Sequence, residues 1–396
     1  MKALGDYSRA LVADQRGIVL YSSLMLLALI MAVGVQAIVS TQSNFQTSAN
    51  LRAENAAFYI SEAGIEWSKN ELATATAHPV PPFNSSSTIS RGTFSVSTIS
   101  TVAVSPLVSR MVVRSMGKFA SSSQIVQAEL IKRFLLADAA VGLRGSASHP
   151  IFVGNDFSIS GIDHDPATSK PMANLRSYAG FSVSHPATKE AIETSLEPTQ
   201  LSRVSGTDRQ GALIAETQKL PSPTITRLAD DLCSAENAQL TAIPAGTSLS
   251  LTDQQWGNRS APQLRCLDGA AGSADAVANV SNSSGAGILI VRNADLILEG
   301  GFRWEGLIII TGSMVSLKIL EPGSKEIIGG IIVNETTSTY SESNPPTLEI
   351  HGAIKILFSR SALHTAEVVV PANALTTAHA SLPAEVVQSY WRSITP

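Results

Sequence analysis

The sequence has few charged residues and few cysteines, and both shortages exclude classes of protein. Only 15% of its 396 residues are charged and the net charge is -4, without the basic stripe that neutralises a phosphate backbone. We therefore expect no nucleic-acid partner. The two cysteines, Cys233 and Cys266, are too few for a disulfide scaffold or a cysteine-rich zinc site. They leave two possibilities: one bridge if this region is exported to an oxidising compartment, or two buried thiols.

Motifs for catalysis and cofactor binding are also missing. The phosphate-binding patterns GxGxxG and GxxxxGK[ST] do not occur, and neither do GxSxG, HExxH or CxxC. The one compact titratable cluster is Asp163, His164 and Asp165, a composition equally typical of a polar turn. We therefore predict a protein that is not an enzyme, with no catalytic, cofactor or metal site.

A long apolar run near the N-terminus predicts a membrane span. Residues 18–39, from Ile18 to Val39, contain no charged residue, histidine or proline. As a helix this run is about 33 Å long, which matches a hydrocarbon core of about 30 Å. Arg16 and earlier cations precede it, and the next charge is Arg52, so the N-terminus should be cytoplasmic and the rest exported.

The helical pattern continues beyond the membrane boundary. Apolar residues recur at steps of three or four, which places them on one helical face: Phe45, Ala49, Ala53, Ala56, Ile60, Ala63 and Trp67. We predict one helix over residues 18–72, apolar all round at first and amphipathic later. Its apolar face needs a partner, although a simple membrane-proximal stalk would show the same face.

Two stretches resemble a known family. The string QRGIVLYSS, with Arg16 and Gly17 before Ile18, resembles the prepilin peptidase site of type IV pilins. The string NLRAENAAFYISEAGIEW, residues 50–67, is similar to the N-terminal region of PilX-type minor pilins. Its matching positions are Asn50, Arg52, Ala57, Phe58, Glu62, Ala63 and Gly64.

The resemblance implies a leader over residues 1–17, cut between Gly17 and Ile18. It also implies an assembly helix that carries Ser22, Asn50, Arg52, Phe58, Glu62 and Gly64. The expected partners are membrane lipid, other pilins and minor pilins, prepilin peptidase and the inner-membrane assembly machinery. The protein would lie in the inner membrane before assembly and in a periplasmic or surface pilus afterwards.

Ser22 departs from the family pattern. Major pilins carry a glutamate at the fifth mature position, which corresponds to Ser22 when Ile18 is the first mature residue. In that family the carboxylate pairs with the N-terminal amine of a subunit already in the filament, because an unpartnered charge in apolar surroundings is costly. Ser22 cannot make this pair. The departure favours a tip or initiation position over a subunit scattered along the shaft.

Beyond the helix we predict two β-rich regions. Residues 18–137 form a pilin-like domain in which a Pro/Ser-rich loop precedes antiparallel strands starting near Gly92, Leu107 and Ser122. Residues 138–396 form a β-rich C-terminal domain. Glycines at 287, 306 and 330 recur at a solenoid-like period, which predicts a β-helix or, alternatively, an elongated sandwich. Residues 268–287 are predicted to be a surface loop.

The fold class is therefore α+β followed by all-β, with a transmembrane pilin helix on a small antiparallel sheet. The predicted function is a minor pilin-like subunit of a type IV pilus or pseudopilus, acting in assembly or initiation at the tip. The alternative is a membrane-anchored adhesin or binding module with a surface ligand. An anchored β-helix enzyme acting on polysaccharide is disfavoured, since Asp295, Glu299, Arg303 and Glu305 are typical of solvated strand faces.

Overall fold

The computed structural model describes residues 3–145, 148–173, 175, 177–208, 210–270, 276–337, 346–371 and 382–394, with side chains from residue 18 onward. One helix, α1 (Ala3–Thr74), forms the N-terminal part. No proline interrupts it, and apolar and small residues dominate the stretch that follows residue 17. The predicted helix over residues 18–72 is confirmed, and it ends two residues later than expected.

An antiparallel sheet packs against the second half of α1. Its first four strands follow one another as a meander: β1 (Asn84–Ile89), β2 (Gly92–Ser105), β3 (Val108–Phe119) and β4 (Ser122–Phe134). Burial alternates along β3 and β4, because one face of the sheet meets the helix and the other meets solvent. The three predicted strands are confirmed. The Pro/Ser-rich segment is not entirely a loop, since β1 lies within it and pairs with β2.

A second, parallel sheet follows, and it curls. The segments of one strand show the curling: Val277–Ser281 pair with residues 248–252, Ser284–Gly285 with residues 255–256 and Gly287–Arg292 with residues 263–268. Within the described residues this sheet has sixteen strands. They are β5 (Ala139–Arg144), β6 (Pro150–Val153), β7 (Phe157–Ser160), β8 (Ala179–Val183), β9 (Val204–Ser205), β10 (Ile214–Glu216), β11 (Ala238–Ile243), β12 (Ser248–Thr252), β13 (Gln255–Trp256), β14 (Gln263–Gly269), β15 (Val277–Arg292), β16 (Asp295–Gly312), β17 (Leu317–Ile319), β18 (Lys325–Glu335), β19 (Leu348–His351) and β20 (Ile354–Phe358).

A ladder of stacked glycines marks one corner of the curled sheet. Gly287, Gly306 and Gly329 are register partners in adjacent strands, and their φ angles are +118°, +130° and +138°. A Cβ on Gly306 would lie 2.1 Å from the carbonyl oxygen of Gly287. Only glycine fits such a corner. The predicted periodicity was correct for the first two positions, but the third is Gly329 and not Gly330.

In the part of this region that the structure describes, four helices accompany the curled sheet: α2 (Pro186–Ser195), α3 (Pro198–Leu201), α4 (Ser222–Cys233) and α5 (Arg360–Glu367). Helices α4 and α5 pack on the outside of the side formed by β14, β18 and the C-terminal parts of β15 and β16. A disulfide joins Cys233 at the end of α4 to Cys266 in β14. Because helices cover the outer face and the core fills the inner one, these strands are buried on both faces.

The predicted surface loop over residues 268–287 is wrong in its second half. Strand β15 begins at Val277, and Val280 in that strand is fully buried. Residues 271–275 lie outside the described residues. The composition of Ser, Asn and Gly concealed a strand whose inward positions, Ala278 and Val280, are small or β-branched.

The last strand returns to the first sheet. Strand β21 (Ala384–Ile394) pairs antiparallel with β4, and Ala384 lies opposite Phe134. The chain therefore leaves the first sheet after β4, builds the curled sheet and comes back beside β4. The sequence analysis did not foresee this return; the division at residues 137 and 138 stays a prediction.

These elements confirm the predicted fold class. A long apolar helix packs on an antiparallel sheet, and a β-rich region with a curled parallel sheet follows. The curled sheet is consistent with a β-solenoid. Its core is continuous from Phe134 through the strands to Leu382, and a smaller core lies between α1 and the first sheet.

Candidate assembly helix

The first half of α1 presents only exposed side chains. From Ile18 to Val39 every side chain is exposed, although the segment consists mainly of large apolar residues. Among the described residues α1 is the one helix that is long and apolar enough to cross a membrane. An apolar surface of this size has to be covered by lipid or by other apolar chains. Nothing else in the chain is placed to cover it within the described part.

Ser22 lies in this exposed half and is satisfied by its own helix. Its hydroxyl donates to the carbonyl oxygen of Ile18 at 2.7 Å. Such a bond lets a small polar side chain stay in an apolar environment, where a carboxylate would need a charged or strongly donating partner. Of the predicted processing positions, Gly17 lies within α1 and Ile18 is exposed, while the side chain of Arg16 lies outside the described part of the chain.

The second half of α1 is seated on the sheet by small residues. Ala57, Ser61, Gly64 and Ser68 are all buried on the face that meets β3. A Cβ on Gly117 in β3 would lie 2.1 Å from the carbonyl oxygen of Ala57. The two backbones therefore approach more closely than any pair of side chains would allow.

This buried face differs from the predicted stripe. The stripe contained Ile60, which is buried, but it began at Phe45, whose side chain is 72% exposed. Counting apolar residues found Ile60 and Trp67, which pack in the core between the helix and the sheet, but it missed the small residues of the contact. A repeat of Ala, Ser or Gly at steps of three and four is the signal that could have found it.

The structure brings only some of the predicted helix residues to the sheet. Gly64 is buried, and a Cβ there would lie 2.1 Å from the hydroxyl of Ser115. Phe58 is half-buried and packs edge-on against Trp391 of β21, with ring centroids 5.9 Å apart. Glu62 is half-buried, whereas Asn50 and Arg52 are exposed before the contact begins.

Trp391 is a residue that the sequence analysis missed. It lies in the returning strand β21, opposite Ala128 of β4, and its ring covers Phe58. The run VVQSYW has the β-branched and aromatic composition of a strand. Composition could have predicted the strand, but not its pairing with β4.

The C-terminal end of α1 meets a buried lysine. The ammonium of Lys132 in β4 donates to the carbonyl oxygen of Ala75 and lies 4.6 Å from the centroid of the Phe134 ring. A cation at a helix C-terminus is favoured by the helix dipole. Burial and the nearby Lys219 nevertheless lower the pKa of Lys132 to about 8.

The cluster Asp163, His164 and Asp165 serves to hold the fold. Asp163 accepts from Nε of Arg360 at 2.7 Å, and Arg360 also pairs with Glu385 of β21 at 2.6 Å. His164 contacts the carbonyl oxygen of Ile162, and Asp165 accepts from the backbone of Ala167. In the described part of the chain, no group of three or more His, Cys, Asp or Glu residues is placed to hold a metal ion.

Two of the four charges considered for a polysaccharide-acting site, Arg303 and Glu305, pair with each other. Arg303 bonds to Glu305 at 3.1 Å and also contacts Glu326, while Arg259 holds Glu305 from the other side. Asp295 accepts from the backbone N–H of Ser316, and burial raises the pKa of its carboxyl group. Opposite charges on neighbouring strands stabilise an exposed sheet face, so Arg303 and Glu305 have a structural role there.

Comparisons with known proteins give little further guidance. No protein-family model matches the chain, and no curated protein matches it. Among solved structures, the competence-associated pilin ComZ from Thermus thermophilus is similar at 13% identity. The match covers 86% of this chain and 97% of that chain, with a TM-score of 0.19. At that TM-score the two chains do not superpose as whole molecules, and the likeness does not establish a shared fold.

Proposed function

We propose that this chain is a structural, non-enzymatic subunit of the minor pilin class, belonging to a type IV pilus or a related pseudopilus. It is processed between Gly17 and Ile18, embeds through α1 and displays the curled sheet outside the cytoplasm. The observation that carries this proposal is the two-part helix. One continuous α1 has an exposed apolar half and a second half seated on a sheet by small residues.

The exposed half suits two successive environments. Lipid can cover it before assembly, and the apolar halves of neighbouring helices can cover it in a filament. A subunit that only needed an anchor would require the span alone. Here the helix continues without a break into the contact with the first sheet, so that one continuous helix joins the span to the exported part.

The alternative of an anchored binding module shares the anchor and differs in assembly. In that case the chain stays in the membrane, uncleaved, and a surface ligand binds the curled sheet. The enzyme alternative has less support, because Arg303 and Glu305, two of the charges it requires, are held in ion pairs with each other and with Arg259 and Glu326.

Processing separates these possibilities. Intact-mass analysis of the membrane-extracted protein from its own host should give a chain that begins at Ile18. Replacing Gly17→Leu should block processing, because a peptidase that recognises glycine must approach the backbone closely. Gly34→Leu is the matched control, since a Cβ at Gly34 meets no atom within 4 Å, and it should be processed normally. A wild-type chain that keeps residues 1–17 overturns the proposal.

Position in the filament is tested at Ser22. For a tip or priming subunit, Ser22→Glu adds a carboxylate without a fixed partner, which should not improve incorporation. For a shaft subunit the new carboxylate would meet a neighbour's N-terminal amine and increase incorporation. The measurement is the amount of this protein per unit of purified filament at matched expression. A clear increase, spread along the shaft in immunogold images, rules out the tip position.

A further inference from the structure

The two ends of the curled sheet differ in how far helices cover their outermost strands. At one end, α2 and α3 cover β6, and Ile192 of α2 is fully buried. The side chain of Gln200 in α3 donates to the carbonyl oxygens of Phe152 and Gly154, at 3.3 Å and 2.9 Å. Backbone groups at this end are therefore satisfied by a side chain, as the cap of a repeat protein requires.

The other end, formed by β11, β12 and β13, is called here the end layer. Strand β11 pairs with β14, and β12 and β13 pair with successive parts of β15. No strand in the described part of the chain pairs with their opposite edges; helix α4 contacts β11. Three free edges thus surround the same end of the core.

The end layer lacks the usual protection of a free edge. Natural edge strands carry charges, prolines or bulges that prevent pairing with other chains. Strand β21, at the edge of the first sheet, carries Glu385 and Arg392 and has a register shift after Gln388. The strands β11, β12 and β13 contain no charged residue and no proline; Pro244 and the exposed Asp253 lie in the turns between them.

Apolar side chains add to the exposure of the end layer. Leu240 is 56% exposed. Leu249 and Leu251 are half-buried where the equivalent positions of the next layer, Ala278 and Val280, are fully buried. Leu249 and Leu251 of β12 are therefore covered by β15 on one side and open on the side of the free edge.

We propose that the end layer is a self-association surface that stacks on the end layer of a second copy of this chain. A two-fold axis through Ser250 would place β12 antiparallel to the same strand of the second copy. Each β11 would then face the β13 of the other copy. An identical layer has the same three-sided outline and can meet all three edges at once, whereas a single added strand meets one.

Charge and size fit this occupant. Two uncharged edges meet without the like-charge repulsion that identical surfaces otherwise create. Strands of five or six residues are only about 18 Å long, so the contact is smaller than the roughly 800 Å² per partner of a standard interface. The association should be weak and should need a high local concentration, such as that of chains sharing a membrane.

Charge substitutions at the axis test the proposal. The full chain in detergent micelles should dimerise with concentration in sedimentation velocity. Ser250→Lys and Ser250→Glu should each require about fivefold more protein, because each places like charges directly opposite one another. An equal mixture of the two variants should regain the parent's association, since Lys then faces Glu.

The control is Ser284→Lys, at an exposed position of β15 that has strands on both edges. It should leave association unchanged. A parent that stays monomeric overturns the proposal. So does an association that both Ser250 variants retain, which would place the contact in α1, and so does an equal loss in Ser284→Lys. Circular dichroism confirms that each variant is folded.

Discussion

The two sheets of this protein bury their strands in different ways. In the first sheet burial alternates along β3 and β4, because α1 covers one face and solvent the other. In the curled sheet β5 and β8 are buried at every position, because other parts of the chain cover both faces of these strands. The same chain thus needs a period of two in one region and continuous apolar runs in the other.

The close contacts in the two sheets also differ. Gly117 of the first sheet and Gly64 of α1 let the sheet and the helix approach closely, so each of these glycines meets a separate element. The curled sheet uses Gly287, Gly306 and Gly329 to turn its own corner, so its glycines meet one another. A substitution in the glycine ladder should therefore destabilise several adjacent strands of the curled sheet. A substitution where α1 contacts β3 should weaken the packing of that helix alone.

The largest effect is expected at the corner. Gly306→Ala should lower the free energy of unfolding by about 4 kcal/mol, because a φ of +130° is unfavourable for alanine and its Cβ meets backbone. Urea unfolding with peptide-resolved hydrogen exchange should show the loss across β15, β16 and β18. Gly246→Ala, with φ of +65° and no atom within 4 Å, should cost only about 1 kcal/mol. Equal losses would contradict the role of the ladder.

The next effect concerns the disulfide. Replacing both Cys233 and Cys266 by serine opens a loop whose ends are 33 residues apart, which should destabilise the curled sheet by about 3 kcal/mol. Exchange should increase in α4 and β14 and stay unchanged in the first sheet. Peptide mapping without reductant, on protein made in its own host, checks that the bond forms there. Two free thiols in that sample would contradict the prediction.

The seat of α1 gives a smaller effect. Gly117→Ala should cost about 2 kcal/mol, since its Cβ meets the backbone of Ala57 and Ser61, which can move only with the whole helix. Gly64→Ala should cost less, because the obstructing atom is the rotatable hydroxyl of Ser115 and alanine favours the helix by about 1 kcal/mol. Exchange in residues 57–75 measures both. A larger loss for Gly64→Ala than for Gly117→Ala would contradict this prediction, because it would mean that the helix backbone shifts more easily than the Ser115 hydroxyl rotates.

The smallest effect is a pH dependence confined to the first sheet. The pKa of Lys132 is about 8 in the fold against an ordinary 10.5, so the unfolded chain binds more protons between these values. The free energy of unfolding should therefore rise with pH through that window, by about 1 kcal/mol from pH 7 to pH 9. Urea unfolding at both pH values, for the parent and Lys132→Met, measures this. The variant should lose the rise, and a rise that persists would assign it to another group.

The sequence predicted what depends on local pattern. The apolar run after Gly17 predicts a helix, and the alternation in β3 and β4 predicts strands, because both patterns involve residues close in sequence. The spacing of Gly287 and Gly306 likewise indicated stacked turns. These features could be predicted because the physical cause lies within one or two turns or strands.

What could not be predicted depends on distant partners. The residues of β21 are typical of a strand, but nothing near Trp391 indicates that Phe58 and β4 will receive it. Ser61, Gly64 and Ser68 are informative only once a sheet is known to approach them. The disulfide and the Arg360 pairs with Asp163 and Glu385 join segments that only the folded topology brings together.

The pairing of Ala384 with Phe134 has a consequence for how this molecule can change. Directly opposed residues of antiparallel strands have Cα atoms about 5 Å apart, a gap that two turn residues can close. The segment from Leu135 to Pro383 is then an insertion between the two strands, β4 and β21, of a single antiparallel hairpin. It can be removed, or exchanged for another domain with adjacent termini, while β4, β21 and the helix beneath them keep their register. The same helix and first sheet could in this way carry different C-terminal domains.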